Sequence, residues 1–111
     1  MKLVVAIIQP HQLPAVKQAL YAHDVFHMMC TNILGTVPNH GERQTFRGVA
    51  HEVELFQKVR VEVICTDDRV GVVTDAIVEG GKASGETGLI FVTEIVDCVS
   101  VSTGERGTAA L

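Results

Sequence analysis

Residues 58–66 read "KVRVEVICT", and the alternation in that run limits the fold more than any other feature. Val59, Val61 and Val63 point one way, and Arg60 and Glu62 the other. That period of two is the signature of a half-buried strand, so one face of a sheet must be covered by something apolar. "KLVVAIIQ" (2–9) is a nearly unbroken aliphatic run rich in β-branched residues, which suits a strand covered on both faces. "VFHMMCTNILG" (25–35) reads as another strand, stopped by Gly35, and "LIFVTEIVDCVSVS" (89–102) as a long final strand region.

Two helices fit between the strands. In "HQLPAVKQALYAHD" (11–24), Leu13, Val16 and Leu20 fall at i, i+3 and i+7, and Pro14 suits a first turn. "DDRVGVVTDAIVEGGK" (67–82) opens on Asp67 as an N-cap, carries Val70, Val73 and Ile77 on one stripe, and ends at Gly80 and Gly81. The order is β-α-β, a long loop, then β-α-β. Two such halves with right-handed crossovers give an α+β, ferredoxin-like βαββαβ fold, a four-stranded antiparallel sheet with both helices on one face. The other face still carries apolar residues, and a homo-oligomer is the simplest cover for it. At 111 residues the chain is expected to be one domain, 1–111.

The stretch "GTVPNHGERQTFRGVAHEVELFQKV" (35–59) shows no sustained period over its first twenty residues. Loops of that length in a small domain are usually functional or disordered. Net charge is −4 and no face or tail is basic, which argues against nucleic acid as a partner. The N-terminal apolar run stops at Ile8, too short for a membrane span, and no small-residue cleavage site follows it. Cys30, Cys65 and Cys98 are far apart with no CxxC, as expected of buried, reduced thiols in a cytosolic protein. His23 and His27 straddle a helix end and a strand start, so no metal site is expected there. No nucleophile–base pair or Walker-type lysine points to an enzyme. Glu62 is expected to pair with Arg60 on the surface, whereas Asp97 has no evident charged partner. Gly35 leaves room for a ligand at a strand end, and "SGETG" (84–88) offers backbone N–H groups of the kind that accept anions.

"FRG" (46–48), "KVRVEV" (58–63), "DD" (67–68), "GLIFV" (88–92) and "TGE" (103–105) occur in an order and spacing that is specific when taken together. On these pieces the chain resembles the PII signal-transduction proteins and their PII-like relatives, nearly end to end. The resemblance implies a cytoplasmic homotrimer with adenine-nucleotide sites in clefts between subunits. The long loop, about 36–56, would be the T-loop, which docks onto a membrane transporter or metabolic enzyme. Carried over residue by residue, the nucleotide cleft comprises Ile7, Gly35, Glu62, Ile64, Gly85, Thr87, Gly88 and Leu89, with Ser100, Ser102 and Arg106 near the phosphates.

Three of these positions depart from the family pattern. The family's lysine after the glycine-rich turn is Leu89, and its two phosphate-gripping arginines are Ser100 and Ser102. Charge-assisted bonds to phosphate are the strong ones. AMP or ADP, a cyclic nucleotide or an adenosine-like group therefore fits better than ATP, unless Arg47 or Arg106 supplies charge. The 2-oxoglutarate clamp keeps Lys58, but has Asn39 for its glutamine and Pro38 for its basic residue. His51 replaces the tyrosine that some members modify. These losses imply a divergent branch. One alternative is a bicarbonate sensor in carbon uptake or a carboxysome context, with Arg43, Arg47 and Lys58 holding the small anion. The other is a metal-binding trimer linked to metal efflux. No obligatory cofactor is implied.

Overall fold

The computed structural model describes residues 1–36, 45–46, 49–50 and 54–111. Strand β1 runs Lys2–Ile8, helix α1 Leu13–Ala22, β2 Met29–Gly35, β3 Phe56–Cys65, α2 Val70–Lys82 and β4 Leu89–Glu94. Short 3-10 turns precede both helices, at Pro10–Gln12 and Asp67–Arg69, and a third, Gly107–Ala110, lies near the C-terminus. The main sheet has the order β2-β3-β1-β4, and all three of its pairings are antiparallel. Thr45–Phe46 and Val49–Ala50 pair as a separate two-stranded ribbon.

The alternation in β3 becomes a division of labour. Val59, Val61, Val63 and Cys65 are buried, and by register they share a face with Val4, Ala6 and Ile8 of β1. Val16 and Leu20 of α1 and Val73, Ala76 and Ile77 of α2 close over them to form the core. Each fully buried Val or Leu contributes roughly 1.5–3 kcal/mol, so this layer holds the helices to the sheet. The sequence pattern predicts this βαββαβ arrangement, and the structure has it.

Helix α1 ends for a reason visible in its last residues. Asp24 takes a left-handed conformation (φ 63), and its N–H donates to the Tyr21 carbonyl at 3.1 Å. The Val25 N–H donates to the Leu20 carbonyl at 2.9 Å, and Leu20 and Val25 are both buried. This is a Schellman-type stop with its apolar contact, and aspartate is one of the few residues that tolerate the backbone it needs.

Helix α2 differs from expectation. Gly80 and Gly81 do not end it but lie inside its last turn, both buried. A Cβ at Gly80 would stand 2.7 Å from both the Ala15 oxygen and the Val16 Cα. The glycine is there because the backbones of α1 and α2 meet at that point, a packing demand that local chemistry does not reveal. Asp67 is not the N-cap either: Arg69 holds that position on α2 and Thr66 on the 3-10 turn before it, and Asp67 Oδ1 accepts from the N-terminal ammonium of Met1 at 2.8 Å. β4 stops at Glu94 and does not run to residue 102. Beyond it the chain turns back on itself through the Val99–Arg106 bridge, with the Ser100 N–H donating to the Glu105 carbonyl at 2.8 Å. Of the cysteines, only Cys65 is buried; Cys98 is half-buried and Cys30 exposed at the edge strand β2. Among the described residues no helix is long and apolar enough to cross a membrane.

Candidate functional site

The face of the sheet away from the helices presents Leu3, Val5 and Ile7 from β1, with Ile64, Glu62 and Arg60 opposite them on β3. Leu89, Phe91 and Thr93 stand on their other side, on β4. Val5 is fully buried although no helix covers it. Its shelter comes from its neighbours: Arg60 reaches across β1 to place its guanidinium carbon 5.9 Å from the Phe91 ring centroid. The same guanidinium meets Glu62 through Nε at 3.3 Å, the pair expected from the sequence.

One end of this face forms a cleft of about 340 Å³ lined by Ile7, Thr36, Lys58, Thr87, Gly88 and Leu89. Four strands converge there: the last residues of β1 and β2, the early part of β3 and the start of β4. Gly35 belongs to the same corner, since a Cβ on it would lie 3.2 Å from Lys58 Cδ. Gly88 is equally constrained, because its Cβ would lie 3.0 Å from the Ile7 carbonyl oxygen. The turn can approach β1 this closely only without a side chain. Of the described lining residues Lys58 alone is charged, and its Nζ donates to the Thr36 carbonyl at 2.6 Å. Six residues singled out in the sequence, Ile7, Gly35, Lys58, Thr87, Gly88 and Leu89, thus come together. Gly85, at φ 72, lies in the turn just before them.

Glu62 and Ile64 fall elsewhere. They line a second cleft, of about 510 Å³, with Phe26, His27, Met28 and Met29, and with Ala110 and Leu111 at the C-terminus. Ile64 pairs with Leu3 and the first cleft begins at Ile7. Four residues of extended chain separate them, about 13 Å at strand rise. Phe26, Met28 and Met29 were not singled out in the sequence, and His27 only as a metal ligand that was not expected. What points to them is the β2–β3 register, which sets Met29 opposite Glu62, and that pairing is not legible in one chain.

The third group, Ser100, Ser102 and Arg106, lines neither cleft. The two serine hydroxyls lie 3.4 Å apart. Arg106 donates from Nη1 to Asp97 Oδ2 at 2.6 Å, which gives Asp97 the charged partner that its sequence neighbours lack. Arg43, Arg47 and His51 lie outside the described residues, as do Pro38 and Asn39. Two titrating groups near Met1 are shifted. Asp67 sits below the ordinary aspartate range, mainly through its bond from the N-terminal ammonium and then through Lys2. Lys2 is raised, mainly by its contact with Glu94.

The element order, the sheet order and the helices packed on one face define a ferredoxin-like α+β protein. Residues 1–105 match the family model described as nitrogen regulatory protein P-II. Over 113 aligned positions covering all of both chains, the protein is 34% identical to the nitrogen regulatory protein P-II of Cereibacter sphaeroides and 34% to that of Microchaete diplosiphon. It is 29% identical to that of Porphyra purpurea, again over the whole of both chains. The chain belongs to the P-II family of signal-transduction regulators.

Proposed function

We propose that three copies of this chain assemble with their open sheet faces together and bind an adenine nucleotide where the first cleft of one copy meets the second cleft of the next. The segment 36–56 then reports occupancy to a target transporter or metabolic enzyme in the cytoplasm. One observation carries this reading. The residues assigned to a single nucleotide site divide on one chain into two walls, Ile7, Gly35, Thr87, Gly88 and Leu89 at one end of the sheet and, further along it, Glu62 and Ile64, two and four residues of extended chain beyond Ile7, about 7 and 13 Å. A site shared between copies needs that division, whereas a site within one copy has no use for it.

The electrostatics favour AMP or ADP over ATP. Leu89 is apolar, Ser100 faces Ser102, and Arg106 is engaged by Asp97. Among the described lining residues Lys58 is the charge left in the first cleft, enough for one phosphate and poorly matched to three. The role is regulatory, so bound nucleotide is released unchanged.

Calorimetric titration with AMP, ADP and ATP, on material whose mass is measured by light scattering, tests both halves. A trimer that binds AMP or ADP more tightly than ATP is expected. A monomer indifferent to all three overturns the reading. Bicarbonate and 2-oxoglutarate added to the nucleotide-loaded protein test a second effector. Heat from bicarbonate, and none from 2-oxoglutarate, is expected if Lys58 helps to hold a small anion.

A further inference from the structure

Gln12 is the one buried polar side chain among the described residues, at 3% exposure. It sits at the end of the 3-10 turn that follows β1, and its amide is used at both ends. Oε1 accepts from the Gln9 N–H at 2.7 Å. Nε2 points across the domain at residues 81–86, donating to the Gly81 carbonyl at 3.0 Å and to Ser84 Oγ at 3.1 Å, with the Glu86 carbonyl at 3.4 Å. Ser84 Oγ extends the network, donating to the Gly81 carbonyl at 3.0 Å and accepting from the Glu86 N–H at 3.3 Å. On the outside of the same turn, His11 Nε2 meets Glu86 Oε1 at 2.9 Å.

The geometry points to Gln12 as the positioning residue of the glycine turn, and so of the first cleft's phosphate-facing wall; this rests on the nucleotide reading above. The turn 83–88 has no regular structure of its own, and it feeds directly into Thr87, Gly88 and Leu89, which line the cleft. Its placement is fixed at two points. Gly88 lies against the Ile7 carbonyl, and Gln12 holds the carbonyls at 81 and 86 and the hydroxyl at 84. Backbone N–H groups accept an anion well only when they converge, so a turn free to shift loses that convergence. A buried amide with its partners satisfied is a rigid clamp, and a group there of the wrong polarity is costly.

All three partners of Nε2 present acceptor oxygens, which makes the proposal specific about chemistry as well as position. Gln12→Glu keeps the volume but turns acceptor against acceptor. Gln12→Lys keeps a donor for the same oxygens but gives up the acceptor that the Gln9 N–H uses. Ser84→Ala removes the exposed relay without touching the core. The measurements are AMP affinity by calorimetry, hydrogen exchange of the amides of residues 84–89, and thermal midpoint. Gln12→Glu is expected to weaken AMP by about tenfold or more, the loss of one to two hydrogen bonds, with faster exchange confined to the turn. Gln12→Lys is expected to bind less well than wild type, since the Gln9 N–H loses its acceptor and a charge is buried, and Ser84→Ala to lose less than Gln12→Glu.

A folded Gln12→Glu that binds AMP like wild type overturns the proposal. Should Gln12→Glu not fold, Ser84→Ala with unaltered AMP affinity and unaltered turn exchange overturns it as well. Wild-type protein that takes up no AMP removes the functional reading and this proposal with it. Wild-type binding with an indifferent variant removes this proposal alone.

Discussion

Lys58 Nζ donates to the carbonyl oxygen of Thr36 at 2.6 Å, joining the early part of β3 to the residue just past the end of β2. The cation therefore stands at the base of the long connection and in the wall of the first cleft at once. Lys58→Ala removes the charge from both. A charge-assisted hydrogen bond is worth about 1.5–3 kcal/mol, so AMP affinity should fall by roughly 10- to 100-fold. Adenosine, which has no phosphate, should bind the variant and wild type alike. Paired titrations with the two ligands check this, and an equal loss for both would remove Lys58 from phosphate binding.

Gly80 and Gly71 lie in the same helix and should respond oppositely to alanine. At Gly80 the new methyl meets the α1 backbone at 2.7 Å, and backbone cannot swing aside. Overpacking of that kind costs about 1–3 kcal/mol. At Gly71 nothing lies within 4 Å, so Gly71→Ala should gain about 0.5–1 kcal/mol by restricting the unfolded chain. Urea unfolding of the two variants measures both signs.

Phe91 stands opposite Val5 in the β1–β4 register and receives the Arg60 guanidinium. Phe91→Arg sets two cations together in the middle of the open face, where the proposed assembly would have to bury them. Sedimentation should show the trimer lost, or weakened by at least ~100-fold, because an unpaired buried charge costs several kcal/mol. The helix side is untouched, so far-ultraviolet circular dichroism should keep its shape.

Asp67 makes stability depend on acid in a definite direction. Its carboxyl is held below the ordinary range by the bond from the Met1 ammonium, with Lys2 adding to it. Above the ordinary aspartate range the contribution is whole. As pH falls, the unfolded chain takes up the proton first, and the contribution drains away until the folded carboxyl titrates as well. In material with a free Met1 amine, Asp67→Asn should lower stability in the neutral region, where the contribution is whole, and flatten the acid limb, so that the variant and wild-type curves converge at low pH. An unaltered acid limb would show that the pair contributes nothing.

Periodicity sufficed for the sheet core. Val59, Val61 and Val63 are buried where alternation put them, and Val16 and Leu20 where helical spacing did. Three of the misreadings are cases in which another part of the chain decided. Gly80 reads as a stop but serves a helix crossing. Asp67 reads as a cap but meets the N-terminus. Asp97 reads as unpaired but meets Arg106 after a chain reversal. Of the first cleft, Gly35 and the 84–88 turn were legible from the residues themselves, whereas Ile7, Lys58 and Leu89 came only with the family resemblance. The neighbours of Glu62 were not legible, because Met29 reaches it only through a strand register. Gln12 carried little local signal, since only Gln9 is near it in the chain and the acceptors of its Nε2 lie 69 to 74 positions away.

On the proposed assembly, the distance between the two walls means that no copy owns a binding pocket. A subunit spoiled at Lys58 and another spoiled at Glu62, mixed before they associate, would rebuild a sound junction wherever their intact halves adjoin. Damage in one allele could then be masked by different damage in another, and a cell with two such defective genes would keep a fraction of its signal that neither gene supplies by itself.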